Sequence, residues 1–156
     1  MQRLFVVIAN ASRARLFSRN GSTAELIPLA TLNHLESRQP GHELAEDRAG
    51  RHANDRSSGS NRYEPRSDVR RHEHVLFSRD IAKVLRGHWL AGEFDALWLL
   101  ASNPFLGELK EALDSAIAAH LRFTLAADWT ALGLREIEDK LKAIAGQAQH
   151  LHGAAP

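Results

Sequence analysis

Arginine is concentrated in one stretch of the chain, residues 48–74, which contains almost no side chain suited to a core. Its seven arginines are Arg48, Arg51, Arg56, Arg62, Arg66, Arg70 and Arg71. Residues 47–72 hold these seven arginines against four acidic residues, a charge of +3, while the whole chain carries +1. Guanidinium groups bind phosphates in a bidentate manner, and several on a flexible arm suit the backbone of a structured RNA. The alternative is a charged, solvated loop without a ligand, which the interspersed acidic residues favour.

Histidine is the second residue type of this region that could carry chemistry. His72 and His74 are two residues apart, and His34, His42 and His52 precede them. A structural zinc site needs four convergent ligands and a catalytic site needs three, whereas helical residues two apart point about 200° away from each other. The chain has no cysteine, which excludes disulfides and thiolate ligands. We therefore predict neither a metal site nor a cofactor, and expect these histidines to face solvent or phosphate.

Serine and carboxylate side chains in the same stretch raise the alternative of a hydrolase. Asp47, Asp55 and Asp68 lie near several serines, including Ser57 and Ser60. The sequence contains no G-x-S-x-G nucleophile elbow and no glycine-rich phosphate loop with its lysine. We interpret these residues as solvated parts of a linker.

Hydrophobic periodicity predicts five strands and three helices around this stretch. Strands are predicted, in chain order, at residues 4–9, 13–19, 24–32, 94–101 and 121–128. Helices are predicted at residues 74–90, 102–121 and 134–146. Asn20-Gly21 is a hairpin signal, Pro28 marks an edge or a bulge, Asn103 is the expected N-cap of the second helix, and Gly146 is the expected stop of the third.

Three strands followed by alternating helices and strands predict an α/β fold with a mixed sheet that is parallel in its second half. A chain of 156 residues is most simply one domain, which we place at residues 1–146, with a frayed tail at 147–156. Residues 36–73 contain only three large apolar side chains, those of Leu44, Tyr63 and Val69. Such a composition predicts a long flexible loop between the third strand and the first helix.

The apolar segments of the chain are too short for export or membrane insertion. The run from Leu4 to Ala9 falls short of a secretory signal, and no run approaches the roughly 20 residues that span a bilayer. The sequence therefore predicts a cytoplasmic protein without membrane association.

Several strings, in their order and spacing, carry a resemblance to a known family. They are "FVVIANASRARLF", "EDRAGR", "HEHVLFSRDIAKVL", "LLASNPFLGELKEAL" and "AADWT". Over residues 3–145 the chain resembles the bacterial host-attachment family, whose members are described as required for attachment to host cells. That family is similar to the middle domain of archaeo-eukaryotic peptide-release factors. The resemblance implies a ribonuclease-H-like mixed sheet of about five strands, with a loop after the third strand that reaches ribosomal RNA.

The resemblance gives the arginine-rich stretch a role in binding the ribosome or another structured RNA. The residues expected to bind nucleic acid are Arg48, Gly50, Arg51, Arg62, Arg66, Arg70, Arg71 and His72. The Gly-Gly-Gln of release factors is absent, and "SSGSNRYEPR" occupies the corresponding positions. This departure favours a non-catalytic cytosolic domain with an indirect role in attachment. The alternatives are a hydrolase of peptidyl-tRNA, in which His72 or a loop carboxylate assists, and a protein–protein module of an attachment pathway.

Overall fold

A computed structural model describes the backbone of residues 2–21, 25–34 and 65–154, and the side chains of these ranges except 65–67 and 148–154. The strands are β1 (Arg3–Ala9), β2 (Arg13–Asn20), β3 (Ile27–Asn33), β4 (Ala96–Ala101) and β5 (Leu121–Leu125). The described helices are α1 (Pro65–Leu90), α2 (Phe105–Ala112), α3 (Ser115–Ala118) and α4 (Leu134–Ala154). No helix in these ranges is long and apolar enough to cross a membrane.

The five strands form one mixed sheet in the order β3-β2-β1-β4-β5. β1 is antiparallel to β2 and parallel to β4, and β5 is parallel to β4. Leu4 to Ala9 are all buried, as expected for a strand covered on both faces. The predicted α/β class and the parallel pairing of the second half are confirmed.

The side chains of the sheet alternate between two apolar clusters, one on each face. On one face, which we call the α1 face, Val7 and Leu99 pack in a cluster with residues of α1 and α2, among them Ile81 and Leu109. On the other, the α4 face, Val6, Ile8 and Leu100 pack in a cluster with Ile137 and Leu141. The apolar stripes with which α1 and α4 cover the sheet were predicted from their 3.6-residue period.

The edge strand β3 contains Pro28, which the sequence predicts to lie at a sheet edge or a bulge. Pro28 lies opposite Phe17, where the register of β2 and β3 shifts. A proline, which has no N–H, is tolerated at a sheet edge or a bulge, and the prediction for this residue is confirmed. Gly21 has a φ of 61°, in the region that glycine adopts without strain, and it begins the predicted turn back to β3.

Helix α1 begins nine residues earlier than predicted, at Pro65 instead of His74. The prediction that residues 65–73 belong to a loop is therefore wrong. Val69 and Glu73 are both buried, so the first turns have contacts that sparse apolar composition did not indicate. A proline with its fixed φ suits the first helical position. The rest of the predicted loop, residues 36–64, lies outside the described residues.

Two further helix boundaries differ from the prediction. Residues 102–121 form two helices instead of one, because Leu113 takes an extended conformation (φ −70°, ψ 140°) and buries its side chain in the cluster on the α1 face. Pro104, and not Asn103, stands at the N-cap of α2. Helix α4 continues through Gly146 to Ala154, so the predicted stop is wrong and the backbone of 147–154 is helical instead of frayed.

The buried stripe of α1 provides a direct test of this packing. Ile81 is fully buried between α1 and the sheet, so Ile81→Ala should lower the free energy of unfolding by about 2–5 kcal/mol. Lys83→Ala, on the exposed side of the same helix, is the matched control and should change it by less than about 0.5 kcal/mol. Urea unfolding followed by circular dichroism measures both, and equal effects would contradict the described orientation of α1.

Candidate functional site

The carboxyl ends of β1, β3 and β4 lie at the same edge of the sheet, because these three strands run in one direction. We call this the upper edge; it comprises Asn10–Ser12, the start of β2 at Arg13, Asn33–His34, Ser102–Pro104 and the segment that follows β5, which is parallel to β4. The backbone N–H of His34 donates to the carbonyl oxygen of Ser12 at 2.8 Å. The chain leaves β3 at His34, on this edge, and is described again from Pro65, where α1 begins.

His34 and Glu73 connect the end of β3 to the first turns of α1. His34 Nε2 lies 2.6 Å from Glu73 Oε2, and each side chain is only 11% exposed. The His34 ring also stacks on Phe77 at 5.1 Å, with 15° between the ring planes. This contact joins the first turns of α1 to the upper edge. Both of its partners are largely removed from water.

Next to this pair lies a second imidazole, that of His74. Its ring meets Phe105 edge-on at 5.9 Å. Burial lowers the pKa of His74; the carboxylate of Glu108 opposes this effect, while the charges of Arg70 and His34 add to it. A lowered pKa keeps the His74 ring neutral at pH 7, so it contributes packing here and little positive charge.

Three of the residues predicted to bind nucleic acid lie on the described part of α1 with exposed side chains. Arg70, Arg71 and His72 are all exposed and consecutive on α1, three residues or fewer from Glu73. Arg66 lies in the first turn of the same helix. The other four predicted residues, which are Arg48, Gly50, Arg51 and Arg62, lie outside the described residues.

Among the described residues, these three side chains form one ion pair, between Arg71 and Glu108. In the described ranges no cluster of three or more histidine, cysteine, aspartate or glutamate residues could hold a metal ion. Among the same residues Arg71 has one carboxylate nearby, Glu108, whose Oε1 is 3.9 Å from Nε, and the Arg71 side chain is 79% exposed. Its positive charge therefore remains accessible to an external anion.

Sequence reasoning missed a second polar cluster at the upper edge, formed by Asn10, Asp128 and Thr130. Asn10 Nδ2 donates to Asp128 Oδ2 at 2.9 Å and to Thr130 Oγ1 at 3.0 Å. The hydroxyl and the backbone N–H of Thr130 both donate to Asp128 Oδ1, at 2.6 and 2.9 Å. Asn10 Oδ1 accepts the backbone N–H groups of Ser12 and Arg13, each at 2.8 Å.

This cluster joins the turn after β1 to the segment before α4. Burial alone would raise the pKa of Asp128, but hydrogen bonds from Thr130 and Asn10 outweigh it and lower that pKa below the ordinary value. The partners are 118 or more residues apart, so no local spacing could have revealed them. The strings "FVVIANASRARLF" and "AADWT", which contain all three residues, were the only signal.

Comparison with known proteins gives a family and two similar folds. Residues 5–141 match the model of a family described as "Protein required for attachment to host cells". An archaeal translation termination factor is similar in structure, with a TM-score of 0.48 and 15% identity over 97% of this chain and 41% of its own. A second archaeal protein gives 0.45 and 13% over 97% and 40%. The chain thus spans less than half of either protein, and no curated protein matches it.

The buried His34–Glu73 contact should stabilise the fold more than an exposed contact of the same kind. A double-mutant cycle of His34→Ala and Glu73→Ala should give a coupling free energy of about 1–3 kcal/mol. The control is His88–Glu93, at 3.0 Å with side chains 26% and 49% exposed, which should couple by less than about 1 kcal/mol. Urea unfolding of the wild type and of all single and double variants measures both cycles. Equal coupling would show that burial of the first pair contributes nothing.

Asp128 should make stability depend on acid pH. A carboxylate whose pKa is depressed on folding stabilises the protein above its unfolded pKa, and this stabilisation is lost as the pH falls through the folded pKa. Asp128→Asn places an amide donor against Asn10 Nδ2 and should cost about 1 kcal/mol at pH 7, after allowance for exposure. The deficit should shrink when both proteins are measured well below pH 3.8, the ordinary value. Asp139→Asn, exposed on α4, is the control, and a deficit independent of pH would contradict the assignment.

Proposed function

Because this chain belongs to the family of proteins required for attachment to host cells, we propose that it serves attachment indirectly, as a non-catalytic cytosolic domain that binds ribosomal or other structured RNA. The proposed binding surface is the upper edge of the sheet together with the arginine-rich stretch. Its described residues are the exposed cations of the first turns of α1.

The observation that carries the proposal is the position of two exposed arginines, with an exposed histidine beside them. Arg70, Arg71 and His72 are exposed on α1 beside the edge to which His34 and Glu73 fix this helix. Within the described residues Arg70 and His72 form no ion pair, and Arg71 forms one, with Glu108, whose Oε1 lies 3.9 Å from Arg71 Nε. Because the helix backbone is already ordered, a phosphate that contacts these guanidinium groups would restrict only their side chains.

Sequence supports the same partner. Residues 47–72 carry +3, and a local excess of positive charge on a protein of nearly neutral total charge attracts polyanions at short range. A-form RNA is contacted mainly through phosphates and 2′-hydroxyls, for which arginine is well suited. The absence of Gly-Gly-Gln from the sequence supports binding without ester hydrolysis.

Removing two arginines of α1 should weaken ribosome binding in a salt-dependent way. Each phosphate that the protein no longer neutralises reduces the slope of log affinity against log salt by about 0.7–0.9. Arg70→Ala combined with Arg71→Ala should therefore reduce the slope by about 1.4–1.8 and weaken binding at every salt concentration. Sedimentation of the purified protein with ribosomes between about 50 and 200 mM KCl gives both quantities.

Arg79→Ala combined with Lys83→Ala is the matched control, since it removes the same charge from exposed positions farther along α1. It should leave the slope nearly unchanged. Equal losses in the two double variants would indicate unspecific attraction to the whole helix. A partner that co-purifies after ribonuclease treatment, and that the Arg70/Arg71 variant fails to retain, would instead identify a protein-binding surface.

A further inference from the structure

Two arginines lie on the opposite face of the sheet from α1, again at the upper edge. Along β2, Ala14 and Leu16 belong to the cluster on the α1 face, whereas Phe17 belongs to that on the α4 face. Alternation along the strand places Arg13 and Arg15 on the same side as Phe17, about 6.6–6.8 Å apart. We propose that Arg13 and Arg15 form a second phosphate-binding site, which contacts the backbone of the bound RNA on the α4 face.

Among the described residues, backbone carbonyl groups hold Arg15 in place and no acidic side chain does so. Its Nη1 donates to the carbonyl oxygens of Thr130 at 3.2 Å and Leu132 at 2.6 Å. Its guanidinium also lies over the ring of Phe17, 5.2 Å from the centroid. Both hydrogen bonds use Nη1, so Nε and Nη2 have no acceptor among the described residues and can donate to an anion.

The charge of this pair is not neutralised by the described part of the protein. Burial lowers the pKa of Arg15, and the neighbouring charge of Arg13 lowers it further. No described carboxylate forms an ion pair with either residue: the nearby Asp128 accepts its hydrogen bonds from Asn10 and Thr130. Two adjacent cations without a counter-charge repel each other, and a bound phosphate would relieve that repulsion.

The backbone around the pair is fixed before any ligand arrives. Asn10 Oδ1 accepts the N–H of Arg13 at 2.8 Å, and the N–H of Asn10 donates to the carbonyl oxygen of Arg13 at 2.8 Å. Arg13 lies opposite Asn33, the last residue of β3. The Asn10–Asp128–Thr130 cluster thus positions both the strand that carries Arg13 and the carbonyl group that binds Arg15.

The location connects this site to the proposed RNA-binding surface on which the inference rests. Arg13 is next to Ser12, whose carbonyl oxygen accepts the backbone N–H of His34, and His34 contacts Glu73 on α1. Arg13 and Arg15 on one face, and Arg70 and Arg71 on the other, therefore flank the same edge. An RNA strand that crosses this edge can contact both groups.

The test uses Arg13, because its side chain forms no hydrogen bond with the described residues and its removal should leave the fold intact. Arg13→Ala should weaken ribosome binding about tenfold and reduce the salt slope by about 0.7–0.9. The same reduction should appear in the Arg70→Ala/Arg71→Ala background. Arg13→Lys should recover the salt slope with only part of the affinity, since lysine keeps the charge without the bidentate fork.

Arg122→Ala, an exposed arginine on β5 at the far side of the sheet, is the control and should change neither quantity. Loss of binding in the Arg70/Arg71 variant but not in Arg13→Ala would overturn this inference and leave the proposed function standing. Loss in Arg13→Ala alone would support the second site and contradict the proposed role of α1. No loss in either variant would overturn both, as would an Arg13 dependence seen only for a ribonuclease-resistant protein partner.

Discussion

The burial of β1 on both faces is the constraint on which the other elements depend. Its residues from Leu4 to Ala9 are at most 6% exposed, and the strand is paired with β2 on one side and β4 on the other. Because its side chains alternate between the two clusters, α1 and α4 must cover opposite faces of the sheet. A slip of one residue in this strand would exchange the two sets of side chains, so its register also fixes where the strand ends and where Asn10 lies.

Polar contacts at the upper edge then join the layers that apolar packing has placed. Asn10 reaches the segment before α4 through Asp128 and Thr130, while His34 reaches α1 through Glu73. Polar pairs of this kind contribute little net stability when compared with well-packed apolar side chains. Their geometry is specific, however, so they determine how the helix ends sit relative to the sheet edge. The positions of the exposed arginines of α1 and of the half-buried arginines of β2 depend on these contacts.

The sequence predicted those features that repeat along the chain or lie close together in it. Strands β1 and β4, the parallel pairing and the buried faces of the helices follow from apolar periodicity. The first turns of α1 could not be predicted from apolar periodicity, because Val69 is their only apolar core residue. They depend on a contact between Glu73 and a histidine 39 residues away. The end of α2 could not be predicted from the sequence either, because it depends on Leu113, which takes an extended conformation and packs in the core. In the candidate site, the arginine-rich composition was evident from the sequence. The hydrogen bond between Asn10 and Asp128 could be found only in the tertiary structure.

The distribution of charge bears on the kind of anion that we propose as the ligand of this edge. Arg70 and Arg71 lie on the α1 face, and Arg13 and Arg15 lie on the α4 face, with the sheet between them. A polymer with many phosphates can contact both, and the two contacts then reinforce each other because the second becomes intramolecular once the first has formed. The partner that we propose, a folded RNA, presents phosphates in several directions and would contact both groups.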